Sequence, residues 1–149
     1  MKIKECIEAA ALLKTAKVTK MEDADKLTVV KAMRALKQVA SEYESLYADV
    51  QEKLKDDKHA DMVSRAQLFN ERYANKGYYE LEEWQRKERE ELNAYFMDYN
   101  SRLAAAMKEE EEKEVSPEYN RLTEDSFGKL IASNDFSVEQ ILNLETVLV

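Results

Sequence analysis

The chain has 149 residues and a formal net charge of −8, with 23 Lys and Arg against 31 Asp and Glu. One Cys, one His and two Gly exclude an internal disulfide, zinc sites built from Cys and His, and Gly-rich phosphate loops. Since a chain of this length buries roughly 68–70% of its unfolded surface, one folded domain is expected.

The acidic excess lies in the second part of the chain. Residues 1–58 hold 12 Lys and Arg against 11 Asp and Glu, whereas residues 59–149 hold 11 against 20. Direct binding to a nucleic-acid backbone is therefore not expected, because that interaction needs cations that displace counterions. The acidic surface is interpreted as a solvated helical face or, alternatively, as a surface that mimics nucleic acid or docks on a basic partner.

The first two predicted helices lie within residues 3–54. A short helix is predicted over residues 3–16, and Thr19 with Glu22 forms a capping-box signature that should open a second helix, running from Met21 or Glu22 to about Leu54. Apolar residues in this helix alternate at spacings of four and three: Val29, Met33, Leu36, Ala40, Tyr43, Tyr47, Val50 and Leu54. A mean spacing of about 3.5 residues is typical of a seam that packs lengthwise against another helix.

Two further helices are predicted after a polar break at residues 56–59. The third covers residues 60–74 and should stop at the stretch Asn75, Lys76 and Gly77, with Gly77 as the helix-ending glycine. The fourth runs from Glu80 to about Lys113, with Glu88 on its apolar stripe. The similar lengths of the second and fourth helices favour an antiparallel pair, with the shorter segments on one side. Four carboxylates at residues 109–112 oppose the helix dipole, so the fourth helix should fray there.

The last 35 residues should form an extended segment and two short helices. Residues 115–122 are predicted to be extended, Thr123 to cap one short helix, and Ser137 with Gln140 to form a capping box for the last. The expected fold is therefore all-α: an antiparallel, coiled-coil-like bundle of long helices over residues 1–114, with residues 115–149 packed on or beside it. The final Val147, Leu148 and Val149 are apolar, so they either enter the core or face a partner.

Catalytic and metal-binding side chains are scarce. We expect Cys6 to be a small buried hydrophobe and His59 to be a solvated surface residue, with no catalytic residue, metal or cofactor. The longest fully apolar run, residues 9–13, is far short of the roughly 20 residues that cross a bilayer. The chain is therefore predicted to be a non-enzymatic protein that does not cross a membrane.

Two sets of residues are candidate binding sites. For a protein partner or self-association, the candidates are exposed parts of the seam and the apolar end: Tyr43, Tyr47, Val50, Leu54, Val147, Leu148 and Val149. An alternative ligand site combines aromatic rings that can stack on a nucleotide base with Arg side chains that can pair with phosphate: Arg72, Tyr73, Tyr78, Tyr79 and Arg86. The favoured interpretation is that these aromatics are core and seam residues whose polar tips reach the surface.

The layout resembles a known class of proteins. A short helix precedes a long helix whose start is rich in Lys and Arg, and the sequence closes with FSVEQILNLETVLV. In this order of elements the chain is similar to small helical proteins of tailed bacteriophages and prophages. The resemblance implies a phage setting, in the bacterial cytoplasm or in a virion, and assigns no functional residues.

These observations lead to two functional hypotheses. The first is a non-enzymatic helical interaction protein that serves as a structural or assembly accessory of a phage. The alternative is an inhibitor of host defence, which either sequesters a nucleotide signal or presents an acidic mimic of nucleic acid.

Overall fold

The computed structural model describes residues 1–149 and contains six α-helices, one 3₁₀ helix and no sheet. The predicted all-α fold is confirmed. In chain order the elements are α1 (Ile3–Thr15), α2 (Asp23–Leu54), α3 (His59–Tyr73), the 3₁₀ helix (Tyr78–Glu80), α4 (Glu83–Glu111), α5 (Glu124–Ala132) and α6 (Val138–Leu148).

The chain forms two compact units. The first unit comprises residues 1–46 and 109–149, and the second unit comprises residues 47–108. Residues 115–149 share a core with α1 and with the beginning of α2.

The core of the first unit combines short helices with the start of the α2 seam. Val29 and Leu36 on α2 are buried in the same cluster as residues of α1, α5 and α6. Apolar side chains at helical spacing form this cluster because each helix removes one face from water. The cluster also contains Cys6, Ala9, Leu13, Met21, Ala32, Leu122, Phe127, Leu130, Leu144, Val147 and Leu148.

In the second unit, α4 runs antiparallel to the end of α2 and to α3. The Tyr99 hydroxyl donates to the Gln51 carbonyl at 3.0 Å, whereas the Tyr73 ring meets the Trp84 ring edge-on at 6.2 Å between centroids. Between residues 51 and 73 the contacted residue on α4 changes from 99 to 84, so the two segments run in opposite directions. The antiparallel arrangement is confirmed within this unit, where α3 continues past the polar break and covers the first half of α4.

Two predicted caps are present. Thr123 accepts a hydrogen bond from the Ser126 amide at 3.2 Å, and α5 begins directly after it. Ser137 and Gln140 form the reciprocal capping box, with bonds of 3.2 and 2.9 Å. Each bond satisfies an amide that would otherwise have no partner at a helix start.

The capping box predicted at Thr19 is wrong. Thr19 lies in a turn in which the Met21 amide donates to the Val18 carbonyl at 3.1 Å. The Glu22 carbonyl accepts the first bond of α2, from the Lys26 amide at 3.0 Å, so α2 begins at Asp23. The turn brings Met21 into the core of the first unit, and that burial outweighs the local signal.

The third helix ends within one residue of the predicted position, but Gly77 is not its helix-ending glycine. Helix α3 ends at Tyr73, and Gly77 has an ordinary φ of −68°. The Gly77 amide instead donates to the Glu80 carboxylate at 3.1 Å and opens the 3₁₀ helix.

The acidic run at residues 109–112 contains the end of α4. Helix α4 stops at Glu111, and cations or hydroxyl groups meet three of the carboxylates. Glu111 accepts a bond of 2.6 Å from the Tyr43 hydroxyl, Lys113 pairs with Glu110, and Glu112 pairs with Lys2 and Lys4. These partners offset the unfavourable interaction with the helix dipole.

Candidate functional site

The candidate site lies along the line where α3 packs on α4 in the second unit. Phe69 and Leu92 are buried at the centre of this line, and Tyr73 and Phe96 pack beside them. Two grooves flank the line, and both are lined by Phe69 and Tyr73. All of their lining residues belong to the second unit.

One groove forms a surface that we call the Trp84 patch, made of Leu68, Arg72, Tyr73 and Trp84. It surrounds a cavity of about 140 Å³. Trp84 is 57% exposed and Leu68 is 51% exposed, although both are large apolar side chains. The Trp84 indole N–H donates to the Glu82 carboxylate at 2.7 Å, which fixes the ring at the surface.

An ion-pair cluster borders the Trp84 patch. The Arg65 guanidinium donates to Glu88 at 2.9 and 2.7 Å and to Glu91 at 3.2 and 3.1 Å. The hydrogen bonds from Arg65 lower the pKa of the Glu88 carboxyl, and the two carboxylates raise the pKa of Arg65. This cluster explains why a Glu occupies the apolar stripe of α4: the side chain binds Arg65 on the neighbouring helix.

The second groove has a volume of about 350 Å³, and we call it the Arg89 groove. Its apolar wall consists of Phe69, Tyr73, Leu92 and Phe96, which are buried or half-buried. Its polar groups are two carboxamides and two cations: Asn70, Asn93, Lys76 and Arg89. The Lys76 ammonium lies 5.7 Å from the centroid of the Tyr73 ring.

The five residues of the alternative ligand site do not meet in one cavity. Arg72 and Tyr73 line the cavity of the Trp84 patch, whereas none of the described cavities is lined by Tyr78, Tyr79 or Arg86. Arg86 donates to the carbonyls of Tyr78 and Tyr79 at 3.0 and 3.2 Å, so it stabilises the 3₁₀ helix. The Tyr79 ring is 89% exposed.

Tyr78 is held on the surface by its neighbours. Its hydroxyl donates to the Glu90 carboxylate at 3.1 Å, which raises the pKa of the tyrosine. The Arg86 guanidinium also lies 5.2 Å from the centroid of its ring. These contacts already occupy the groups that the sequence suggested for a ligand.

The four candidate interaction residues of the seam differ in exposure. Tyr43 is half-buried and bonds Glu111, and Val50 and Leu54 are half-buried. Tyr47 is exposed on the surface of α2. Self-association through these residues stays a prediction.

The apolar end of the sequence is largely in the core, which corrects the selection of Val147 and Leu148 as interaction residues. Both are fully buried in the first unit, whereas Val149 is exposed. The segment before α5 caps the carbonyls at the end of α6: the Tyr119 hydroxyl donates to Val147 at 2.6 Å, and the Leu122 amide donates to Leu148 at 2.7 Å. Arg121 also donates to the carbonyls of residues 146 and 147. These bonds satisfy carbonyls that have no partner within the helix.

Cys6 and His59 occupy structural positions. Cys6 is fully buried, as predicted, and burial raises the pKa of its thiol. His59, expected on a solvated surface, is instead half-buried against three aromatic rings of α4, and its centroid lies 4.8 Å from that of Tyr99. The Tyr95 hydroxyl near this ring donates to Asp56 at 2.7 Å, and burial with this bond raises the pKa of Tyr95 to about 12.

No group of three or more His, Cys, Asp or Glu side chains is placed to hold a metal ion. None of the helices combines the length and the hydropathy that a membrane span requires.

Sequence reasoning missed five residues of the two grooves: Arg65, Leu68, Asn70, Arg89 and Asn93. The sequence contained a signal that could have identified two of them. Asn70 lies three residues before Tyr73, and Arg89 lies three residues before Leu92 and seven before Phe96. Such spacing places polar residues along the edge of an apolar helix face.

The chain matches no protein-family model, no curated protein and no solved structure. The geometry of the two grooves therefore carries the functional argument.

Proposed function

We propose that this chain is a non-enzymatic helical binding protein that docks a protein partner on the Trp84 patch. The observation that carries this proposal is the exposure of Trp84 beside the equally exposed Leu68. Adjacent large apolar side chains at a surface are typical of binding sites, because leaving them in water costs free energy.

The composition of the patch favours a protein partner. Trp, Tyr and Arg are the residues that most often dominate binding energy in protein interfaces. The partner that fits presents an apolar side chain to the cavity beside Trp84 and a carboxylate to Arg72, because the Arg72 guanidinium has no hydrogen bond or ion pair within the chain.

The surroundings of the patch hold it in place before a partner arrives. The Arg65 cluster joins α3 to α4, and Glu82 anchors the Trp84 indole. A surface that is already ordered loses less conformational entropy on binding.

A non-enzymatic role is supported by the positions of Cys6 and His59. Burial disfavours the thiolate of Cys6, and the contacts of His59 are aromatic rings and the Tyr95 hydroxyl. The proposed setting is that of a structural or assembly accessory of a tailed phage, on the basis of the resemblance in layout.

Site-specific photo-cross-linking tests this proposal. A benzophenone amino acid at position 84 should give one discrete adduct in cells that express the full chain, because the partner covers this ring. The same amino acid at position 97 is the matched control: Met97 is 70% exposed and lies on α4 about 220° around the helix from Trp84.

The adduct at position 84 should also disappear when Leu68 is replaced by Asp. Equal adducts at positions 84 and 97, or none at position 84, would contradict the proposal. An adduct with a second copy of the chain would show that the Trp84 patch mediates self-association and does not dock a different protein.

A further inference from the structure

The Arg89 groove combines features that the Trp84 patch lacks. It is about 350 Å³ in volume, and aromatic rings of both helices line it together with carboxamides and cations. Ligand sites in proteins are concave and roughly 300–1,000 Å³ in size, with polar groups that orient the ligand. The groove lies at the small end of this range. The accessible lining of this groove is more polar than apolar, which suits a charged ligand.

Three polar side chains of the groove have no hydrogen-bonding partner within the chain. The Arg89 guanidinium makes no hydrogen bond or ion pair, and neither do the carboxamides of Asn70 and Asn93. The contrast with two other arginines of the same unit is clear, since Arg65 binds two carboxylates and Arg86 binds two carbonyls. Arg89 is half-buried, and it lines the same groove as the aromatic side chains.

We propose that the Arg89 groove binds a nucleoside monophosphate. Arg89 and Lys76 meet the phosphate, because a guanidinium and an ammonium supply charge-assisted hydrogen bonds to its oxygens. The base stacks on the exposed parts of Tyr73 and Phe96, since every base offers a π-face. Asn70 and Asn93 bond the polar edge of the base, for which a carboxamide provides both a donor and an acceptor.

The volume and the wall of the groove favour this ligand over a larger anion. A cavity of this size holds one nucleotide, whereas a dinucleotide or an extended strand exceeds it. An acidic peptide would use the cations but would leave the aromatic wall without a planar partner. The groove shares Tyr73 with the Trp84 patch, but the cations and carboxamides that select the ligand lie outside that patch. AMP binding can therefore be tested without the partner proposed for the patch.

Titration of the full chain with AMP, followed by ¹H–¹⁵N NMR and by calorimetry, tests the inference. AMP should bind with a saturable isotherm and shift amides in residues 66–74 and 89–96. Adenosine lacks the phosphate and inorganic phosphate lacks the base, so each should bind at least about tenfold more weakly, since a hydrogen bond to a charged group contributes roughly 1.5–3 kcal/mol.

Arg89→Gln should weaken AMP binding at least about tenfold. Arg34→Gln is the matched control, because Arg34 is an exposed arginine of α2 that has no ion pair and lines none of the described cavities; AMP binding should change less than about twofold. Asn93→Ala is a second variant, chosen because the Asn93 side chain is exposed and its loss should not affect folding. It should weaken the binding of AMP and leave the binding of inorganic phosphate unchanged. The amide spectrum of each variant confirms that it is folded.

Four results would overturn the inference. These are no saturation by AMP at millimolar concentration, equal binding of AMP and phosphate, equal effects of Arg89→Gln and Arg34→Gln, and displacement of AMP by a short poly-glutamate peptide at equal concentration. The last result would assign the groove to an acidic peptide.

Discussion

Arg65 on α3 and Glu88 on α4 are joined by two parallel hydrogen bonds of 2.9 and 2.7 Å. Both side chains are less than one third exposed, at 29% and 27%. This bidentate pair fixes α3 against α4 in the second unit and borders the cavity beside Trp84.

The Arg65–Glu88 pair should couple more strongly than an exposed ion pair. A double-mutant cycle with Arg65→Ala and Glu88→Ala should give a larger coupling than one with Lys87→Ala and Glu83→Ala, a pair on the α4 surface at 3.5 Å. The reason is that exposed pairs are screened by solvent. Urea unfolding of the six variants measures both couplings, and equal couplings would show that Arg65 and Glu88 are solvated like any surface pair.

Leu36→Ala should destabilise the protein by about 2–5 kcal/mol, because Leu36 is fully buried in the core of the first unit and its truncation leaves a cavity. Leu27 on the same helix is 53% exposed, so Leu27→Ala should cost less than about 0.5 kcal/mol. Chemical denaturation of both variants gives the comparison. A change for Leu36→Ala as small as that for Leu27→Ala would place the start of the seam at the surface.

The end of α6 should be needed for stability. Tyr119→Phe removes the hydroxyl that bonds the Val147 carbonyl and should cost about 0.5–1.5 kcal/mol. Removal of residues 147–149 deletes two core side chains and should cost several kcal/mol, about 1.5–3 for each buried side chain. Thermal unfolding by circular dichroism tests both changes, and a truncated chain with an unchanged melting temperature would contradict the burial of Val147 and Leu148.

Glu112 should titrate far below an ordinary glutamate. Hydrogen bonds from Lys2 and Lys4 lower the pKa of its carboxyl from 4.5 to about 2. Because the folded-state pKa is the lower one, these pairs contribute stability above pH 4.5, and that contribution is lost as the pH falls toward 2. Carboxyl ¹³C NMR should show a midpoint near 2, which moves toward 4.5 when both lysines are replaced by Gln. A midpoint at 4.5 in the unaltered chain would exclude the ion pairs.

Two helix starts were predicted correctly from residues that lie three positions apart in the sequence. Thr123, Ser137 and Gln140 cap the helices that they were expected to cap, since capping depends on residues three positions apart. The cap predicted at Thr19 and the helix-ending role predicted for Gly77 were wrong. Burial of Met21 determines the first turn, and the hydrogen bond from Gly77 to Glu80 determines the second.

The candidate site was harder to predict, because it depends on contacts between helices. The aromatic residues of α3 were recognised, and Tyr73 lies in both grooves. Which arginine lacks a partner cannot be read along the chain: Arg86 is consumed by the 3₁₀ helix, whereas Arg89, three residues later, is not. Arg86 and Arg89 face different neighbours, and only the packed structure shows them.

The affinity of the chain for the partner cross-linked at position 84 tests the central claim most directly. Calorimetry with the purified partner should show that Trp84→Ala weakens binding at least about 30-fold, the effect of losing a side chain worth 2 kcal/mol or more at the centre of an interface. Met97→Ala should change the dissociation constant less than about twofold. Equal dissociation constants for Trp84→Ala and the unaltered chain would contradict the assignment of the Trp84 patch as the docking surface.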